Sequence, residues 1–153
     1  MISSLFSMRA AASLLVLTSL IACSKKDAEP EYVGTSWTAD GKETKIPGGS
    51  TQVNASTIDL SINQAGVGNG PVSDGLYLVI PKSVGTYDLA TSRNGAQASY
   101  ASDKLYTATS GTITVTTLTA TTLKGTFTFT GTDKFSTPST TKTITNGKFN
   151  RPL

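Results

Sequence analysis

Leu123-Lys124-Gly125-Thr126-Phe127-Thr128-Phe129-Thr130 is the stretch that decides the fold class of this chain. Leu123, Phe127 and Phe129 share one parity with Gly125, while Lys124, Thr126, Thr128 and Thr130 take the other. Successive side chains of a strand point to opposite faces, so the pattern predicts a half-buried β-strand with aromatics inside and threonines in water. Working outward, Ile113 and Val115 alternate with Thr112, Thr114 and Thr116, and Ile58, Leu60 and Ile62 with Asp59 and Ser61. Leu76, Leu78 and Ile80 alternate with Tyr77 and Val79, a strand apolar enough to be covered on both faces. From Tyr32 onward no stretch holds a 3.6-residue apolar period over three turns. Threonine is abundant because β-branched side chains suit a pleated, half-buried surface.

Turn chemistry punctuates these runs. Asp40-Gly41 between Trp37-Thr38-Ala39 and Lys42–Ile46 predicts a tight hairpin. Pro47-Gly48-Gly49, Gly66–Pro71, Asp74-Gly75, Arg93-Asn94-Gly95 and Thr132–Pro138 read as loops. The strands expected are 35–39, 42–46, 56–63, 76–81, 85–89, 98–101, 105–109, 111–118, 122–130 and 141–150. The fold class is therefore all-β: a single antiparallel β-sandwich or barrel-like domain of about 8–10 short strands. Pattern alone does not choose between sandwich and barrel. In the last strand Ile144 and Phe149 lie five apart, which a regular strand would send to opposite faces. Asn146-Gly147 between them reads either as a bulge with Gly147 at positive φ, restoring a common facing, or as a second tight hairpin.

Composition narrows the chemistry. A chain of 153 residues suits one domain, and its charged fraction of 15% lies below the roughly 25% of an average soluble chain. It has 0 His and 1 Cys, which excludes a Ser-His-Asp triad, a Cys-His dyad, a histidine metal cage and an intramolecular disulfide. A net charge of +3, scattered along the chain, gives no nucleic-acid footprint.

The N-terminus reads as an address. Arg9 precedes an apolar run from Ala10 to Leu20, of secretory length and shorter than the roughly 20 residues of a membrane span. Leu20-Ile21-Ala22-Cys23 then resembles a bacterial lipobox. That resemblance implies recognition of Leu20, Ile21 and Ala22 by a signal peptidase and lipidation of Cys23, whose thiol is the nucleophile that thioether formation requires. Residues 1–22 would be the lipoprotein signal peptide, 23–31 an acylated cysteine and polar tether, and 32–153 the all-β domain. Loss of Arg9 leaves 12 basic and 10 acidic side chains in the mature chain. Ser24–Glu31 extends to roughly 28 Å at most. Ser24, in the place of the aspartate that retains many lipoproteins at the inner membrane, favours the outer membrane, on its periplasmic or its surface side.

Three segments together carry a resemblance: Trp37-Thr38-Ala39-Asp40-Gly41-Lys42, Gly125-Thr126-Phe127-Thr128-Phe129-Thr130, and Ile144-Thr145-Asn146-Gly147-Lys148-Phe149-Asn150. The stretch from Trp37 to Pro152 resembles a family of small Bacteroidetes lipoproteins whose shared domain is of unknown function. The resemblance implies fold and lineage, and no catalytic residue.

The candidate sites are few. Asp59, Asp74, Asp88 and Asp103 invite a glycosidase reading, in which two carboxylates hydrolyse a glycoside, but each also fits a strand-face or turn role. Asn63, Asn69 and Asp74 flank a Gly-rich loop without the dense acidic spacing of a calcium site, so no metal and no cofactor is expected. Trp37, Tyr77 and Tyr100 are the candidates for stacking on a sugar, although a Trp at the start of the first strand is more often a core plug. The threonine rows read as a solvated sheet face or as an array that orders water. The function expected is a non-catalytic binding or structural module, anchored through Cys23, whose partner is a glycan or an envelope protein. The alternative is a glycan-binding accessory or a hydrolase using loop carboxylates.

Overall fold

The structure, a computed structural model, describes residues 31–63, 74–91 and 94–153. The lipobox, Cys23, most of the tether, the Gly66–Pro71 loop, Asn69 and Arg93 lie outside the described residues. Glu31–Leu153 forms one compact unit. Its ten strands are β1 (Gly34–Ala39), β2 (Lys42–Ile46), β3 (Ser50–Val53), β4 (Thr57–Asn63), β5 (Gly75–Pro81), β6 (Gly85–Asp88), β7 (Gln97–Ala101), β8 (Leu105–Leu118), β9 (Thr122–Asp133) and β10 (Thr140–Pro152). All pairings are antiparallel, in the order β2-β1-β10-β9-β8-β7-β5-β4-β3, with β6 on β8 beside this path. The sheet is all-β as expected, and it curls into a half-barrel.

Chain connectivity forces the curl. β2 and β3 are the two edges of the path, yet only Pro47-Gly48-Gly49 separates them in sequence. Four residue steps reach about 14 Å, whereas nine strands laid flat span about 38 Å. Arg151, at the inward parity of β10 and only 6% exposed, holds the join. Its Nη1 donates to the carbonyls of Pro47 (2.8 Å) and Gly48 (2.7 Å), and its Nη2 to that of Gly49 (2.7 Å). No carboxylate pairs with it among the described residues, so three carbonyl dipoles hold the buried cation.

The core fills the concave face. Trp37, Ile58, Leu60, Ile62, Leu78, Ile80, Ile113, Leu123 and Ile144 are fully buried there, and Phe127, Phe129 and Phe149 nearly so. The three phenylalanines pack in series at 6.4 Å between ring centroids. Inward-facing glycines make room for the rings. A Cβ on Gly125 would overlap the Phe149 ring, one on Gly147 the Phe127 ring, and one on Gly131 would approach Tyr106 to 2.9 Å. Small residues opposite large ones are how a narrow barrel accommodates aromatics.

The tight hairpin holds: Asp40 (φ 51°) and Gly41 (φ 78°) both adopt positive φ, as a type I′ turn requires. The bulge also holds and the second-hairpin reading does not, since β10 runs through Asn146-Gly147. Ile144 faces Phe129 and Gly147 faces Phe127, so Thr145 and Asn146 together oppose Thr128. The positive φ falls on Asn146 (53°), not on Gly147 as expected. Gly147 is needed because its Cα lies against Phe127.

Four further expectations change. β3 was not expected, because Ser-Thr-Gln-Val carries no apolar alternation, and its outer edge has no strand partner among the described residues. The segments 105–109 and 111–118 are one strand, β8, which bends between Ala108 and Ser110. β9 runs on to Asp133, into the stretch expected to be loop. β5 is covered on one face only: Leu76, Leu78 and Ile80 are buried, while Tyr77 is exposed and Val79 half-buried. The threonines do share the outer face. Register pairs line up Lys45, Ser36, Lys148, Thr126, Thr114 and Thr86 across six strands. Hydroxyl bonds Thr86–Thr114 (3.0 Å) and Thr130–Thr143 (3.2 Å) link neighbouring strands.

Two stability outcomes follow from this packing. Phe127→Ala should cost about 3–5 kcal/mol, whereas Thr128→Ala, exposed and bonded only to the Ile144 carbonyl (2.9 Å), should cost about 1 kcal/mol. Urea unfolding with matched m-values ranks the two, and equal losses would mean that both faces of β9 are buried. Arg151→Met should destabilise strongly and expose the 47–49 loop to proteolysis, since each hydrogen bond to a charged group contributes about 1.5–3 kcal/mol. Arg151→Lys should rescue only in part, because an ammonium lacks the planar fork that reaches three carbonyls.

Candidate functional site

Three places on the domain carry polar chemistry. The first is a charged cluster around Lys142, which stands at an inward position of β10. Its ammonium is 3.0 Å from Asp40 Oδ2 and 3.7 Å from Asp103 Oδ1, and it donates to Ser102 Oγ (3.3 Å). It also lies over two rings, 5.2 Å from the centroid of Tyr106 and 5.8 Å from that of Tyr100. The Tyr100 hydroxyl donates to Asp74 Oδ1, and Lys42 Nζ lies 3.3 Å from Asp74 Oδ2. Burial works against the Lys142 charge, but Asp40 and Asp103 outweigh it and hold the ammonium above the usual lysine value.

The carboxylates are tuned downward. The hydrogen bond from Tyr100 lowers Asp74, with Lys42 adding to it against the effect of burial, and the Ser102 hydroxyl lowers Asp103. Burial, reinforced by Asp74, pushes the Tyr100 phenol well above its ordinary value. The structure thus brings together two of the four sequence-selected aspartates and leaves the others apart. Asp59 accepts from Tyr77 (3.2 Å) and Thr57 (3.4 Å) on the outer face, and Asp88 accepts from the Ala90 amide (2.8 Å) in a turn. Among the described residues, no group of three or more acidic or cysteine side chains is placed to hold a metal ion.

The aromatic trio separates. Trp37 (0% exposed) lies wholly in the core, and Tyr100 is buried beneath Lys142, so neither offers a face for stacking. The reason is parity: Trp37 shares the inward face of β1 with Thr35 and Ala39, and Tyr100 that of β7 with Ala98. Tyr77 alone keeps an open ring, 41% exposed on the outward parity of β5. It lines a groove of about 490 Å³ with Ala90, Gln97, Ser99, Leu105 and Thr107.

The groove has a topological origin. One edge of β8 pairs with β7 as far as Thr107 and with β6 from Thr112 onward. Between these ladders no strand among the described residues pairs with that edge, and the Leu89 amide crosses to the Gly111 carbonyl (2.9 Å). Leu89, Ala96, Ala98 and Ala108 line the gap, and three of the four have only a methyl side chain. Sequence reasoning named Tyr77 but not the groove around it, because the handover of pairing along β8 exists only in the assembled sheet.

The third place is a groove of about 530 Å³ lined by Tyr32, Lys45, Lys124, Lys148, Asn146 and Glu43, among others. Lys124 pairs with Glu31, Lys45 with Glu43 (3.2 Å), and Asn150 donates to the Tyr32 carbonyl (3.1 Å). The first described residues are thereby pinned to β9 and β10. No family model, no curated protein and no solved structure matches this chain.

The Lys142 cluster contributes to the response to pH, beside Asp133, which is also held low, and Tyr32 and Tyr77, which burial raises. Asp74 is lowered in the folded state, so its contribution is complete above the unfolded value of about 3.9 and is lost as pH falls through the folded pKa. Tyr100 is raised, so its contribution is complete below about 10 and is lost as pH rises through the folded pKa. In urea unfolding across pH, Asp74→Asn should flatten the acid limb and Tyr100→Phe the alkaline limb. An unaltered alkaline limb in Tyr100→Phe would place that titration elsewhere.

Proposed function

We propose that the protein is a lipid-anchored component of the bacterial cell envelope whose half-barrel serves as a non-catalytic binding or structural module. The observation that carries this is Leu20-Ile21-Ala22-Cys23 at the end of an 11-residue apolar run and directly before the polar Ser24-Lys25-Lys26-Asp27. Two acyl chains at one cysteine give stable anchoring, where a single chain is marginal. The compact unit beginning at Glu31 supports a short polar tether between lipid and domain. The lack of an aspartate after Cys23 supports the outer membrane, and the sequence resemblance supports a lineage among small Bacteroidetes lipoproteins.

The non-catalytic reading is supported by the state of the carboxylates. Glycoside hydrolysis needs one carboxyl raised so that it stays protonated to act as acid. Asp74 and Asp103 are both lowered, and both are neighbours of an ammonium group. That arrangement suits holding the Lys142 cluster together better than giving up a proton to substrate.

The anchor is tested directly. In cells fed labelled palmitate, the chain should take up label, and Cys23→Ala should abolish it and leave an unprocessed precursor or a chain without stable membrane attachment. Unchanged labelling in the variant would sink the lipoprotein reading.

A further inference from the structure

We infer that the Tyr77 groove is a binding site for a neutral saccharide, an inference that rests on the proposed binding role and names its ligand class. Size fits first. A groove of about 490 Å³ lies within the range of small-molecule sites, roughly 300–1,000 Å³. It lies at the gap where β8 passes from β7 to β6, lined by Ala96, Ala98 and Ala108.

The lining chemistry then selects the class of ligand. Among the described residues, no charged side chain lines this groove. It offers instead an aromatic ring, the aliphatic Leu105 (46% exposed) and the neutral donors and acceptors of Gln97, Ser99 and Thr107. A pyranose has the matching pair of surfaces: an apolar face of C–H bonds that stacks on a ring, and a rim of uncharged hydroxyls that pair with amides and hydroxyls.

Tyr77 is also held in place for this role. Its hydroxyl donates to Asp59 Oδ2 (3.2 Å), and Asp59 in turn accepts from Thr57. Across the sheet Tyr77 pairs in register with Ser99, and Ser99 with Thr107, so ring and hydroxyls stand in one row. A ring restrained before binding loses less freedom on complex formation.

The test is calorimetric titration of the full chain in detergent with neutral cello-, xylo- and manno-oligosaccharides, and with acidic hyaluronan and polygalacturonate oligosaccharides. We expect binding to at least one neutral series and to neither acidic one. Tyr77→Ala should weaken it roughly tenfold, Tyr77→Phe should retain most of it, and Gln97→Ala should weaken it with an unchanged urea midpoint. Should Tyr77→Ala fail to fold, the comparison of Gln97→Ala with the parent chain decides. Failure of the whole neutral panel, binding confined to acidic sugars, or affinity indifferent to both Tyr77→Ala and Gln97→Ala would overturn the assignment. Palmitate labelling of the same preparation separates the two readings. A labelled chain that ignores the neutral panel loses the saccharide site and keeps the envelope role, while an unlabelled chain that binds does the reverse.

Discussion

The short join between β2 and β3 is the constraint on which the rest of the domain depends. A flat nine-strand path would put its edges far beyond the reach of Pro47-Gly48-Gly49, so the sheet must roll until they approach. Rolling creates the concave face, and the concave face is the core. Arg151 stabilises the join by gathering three loop carbonyls that no ladder serves. A cation placed there costs desolvation, which the short charge-assisted bonds offset.

Curvature in turn dictates what lies inside. Aromatic rings on a tightly curved sheet collide unless their neighbours are small. Gly125 and Gly147 take that part beneath Phe149 and Phe127, and the bulge at Asn146 keeps Ile144 and Phe149 on one face. The same curvature leaves the outer face convex and twisted. Its threonines spend hydroxyls on one another, as in the Thr86–Thr114 bond, which suits a solvated sheet better than a flat array for ordering water.

Polar function is divided between the two faces. At the inward side Lys142 pairs with Asp40 and Asp103 over two buried tyrosines, and Asp74 is held by Lys42 and the Tyr100 hydroxyl, so these groups are engaged within the domain. On the outward side, no charged side chain among the described residues lines the Tyr77 groove.

Local pattern was enough for the strands, because alternation is a property of neighbours in sequence. Phe127 against Thr128 and the Asp40-Gly41 turn were legible, the Asn146-Gly147 bulge was one of two readings the sequence offered, and the address expected at Cys23 lies outside the described residues. β3 was not legible, since Ser50–Val53 becomes a strand through pairing with β4 and not through its own side chains. The sequence left sandwich and barrel open because curl depends on which edges a three-residue loop joins, and that requires the full strand order. The fates of Trp37, Tyr77 and Tyr100 were undecided for a related reason. An aromatic ring serves equally as core or as binding surface, and only parity within the assembled sheet buries two of them and leaves Tyr77 open beside a gap in β8 pairing.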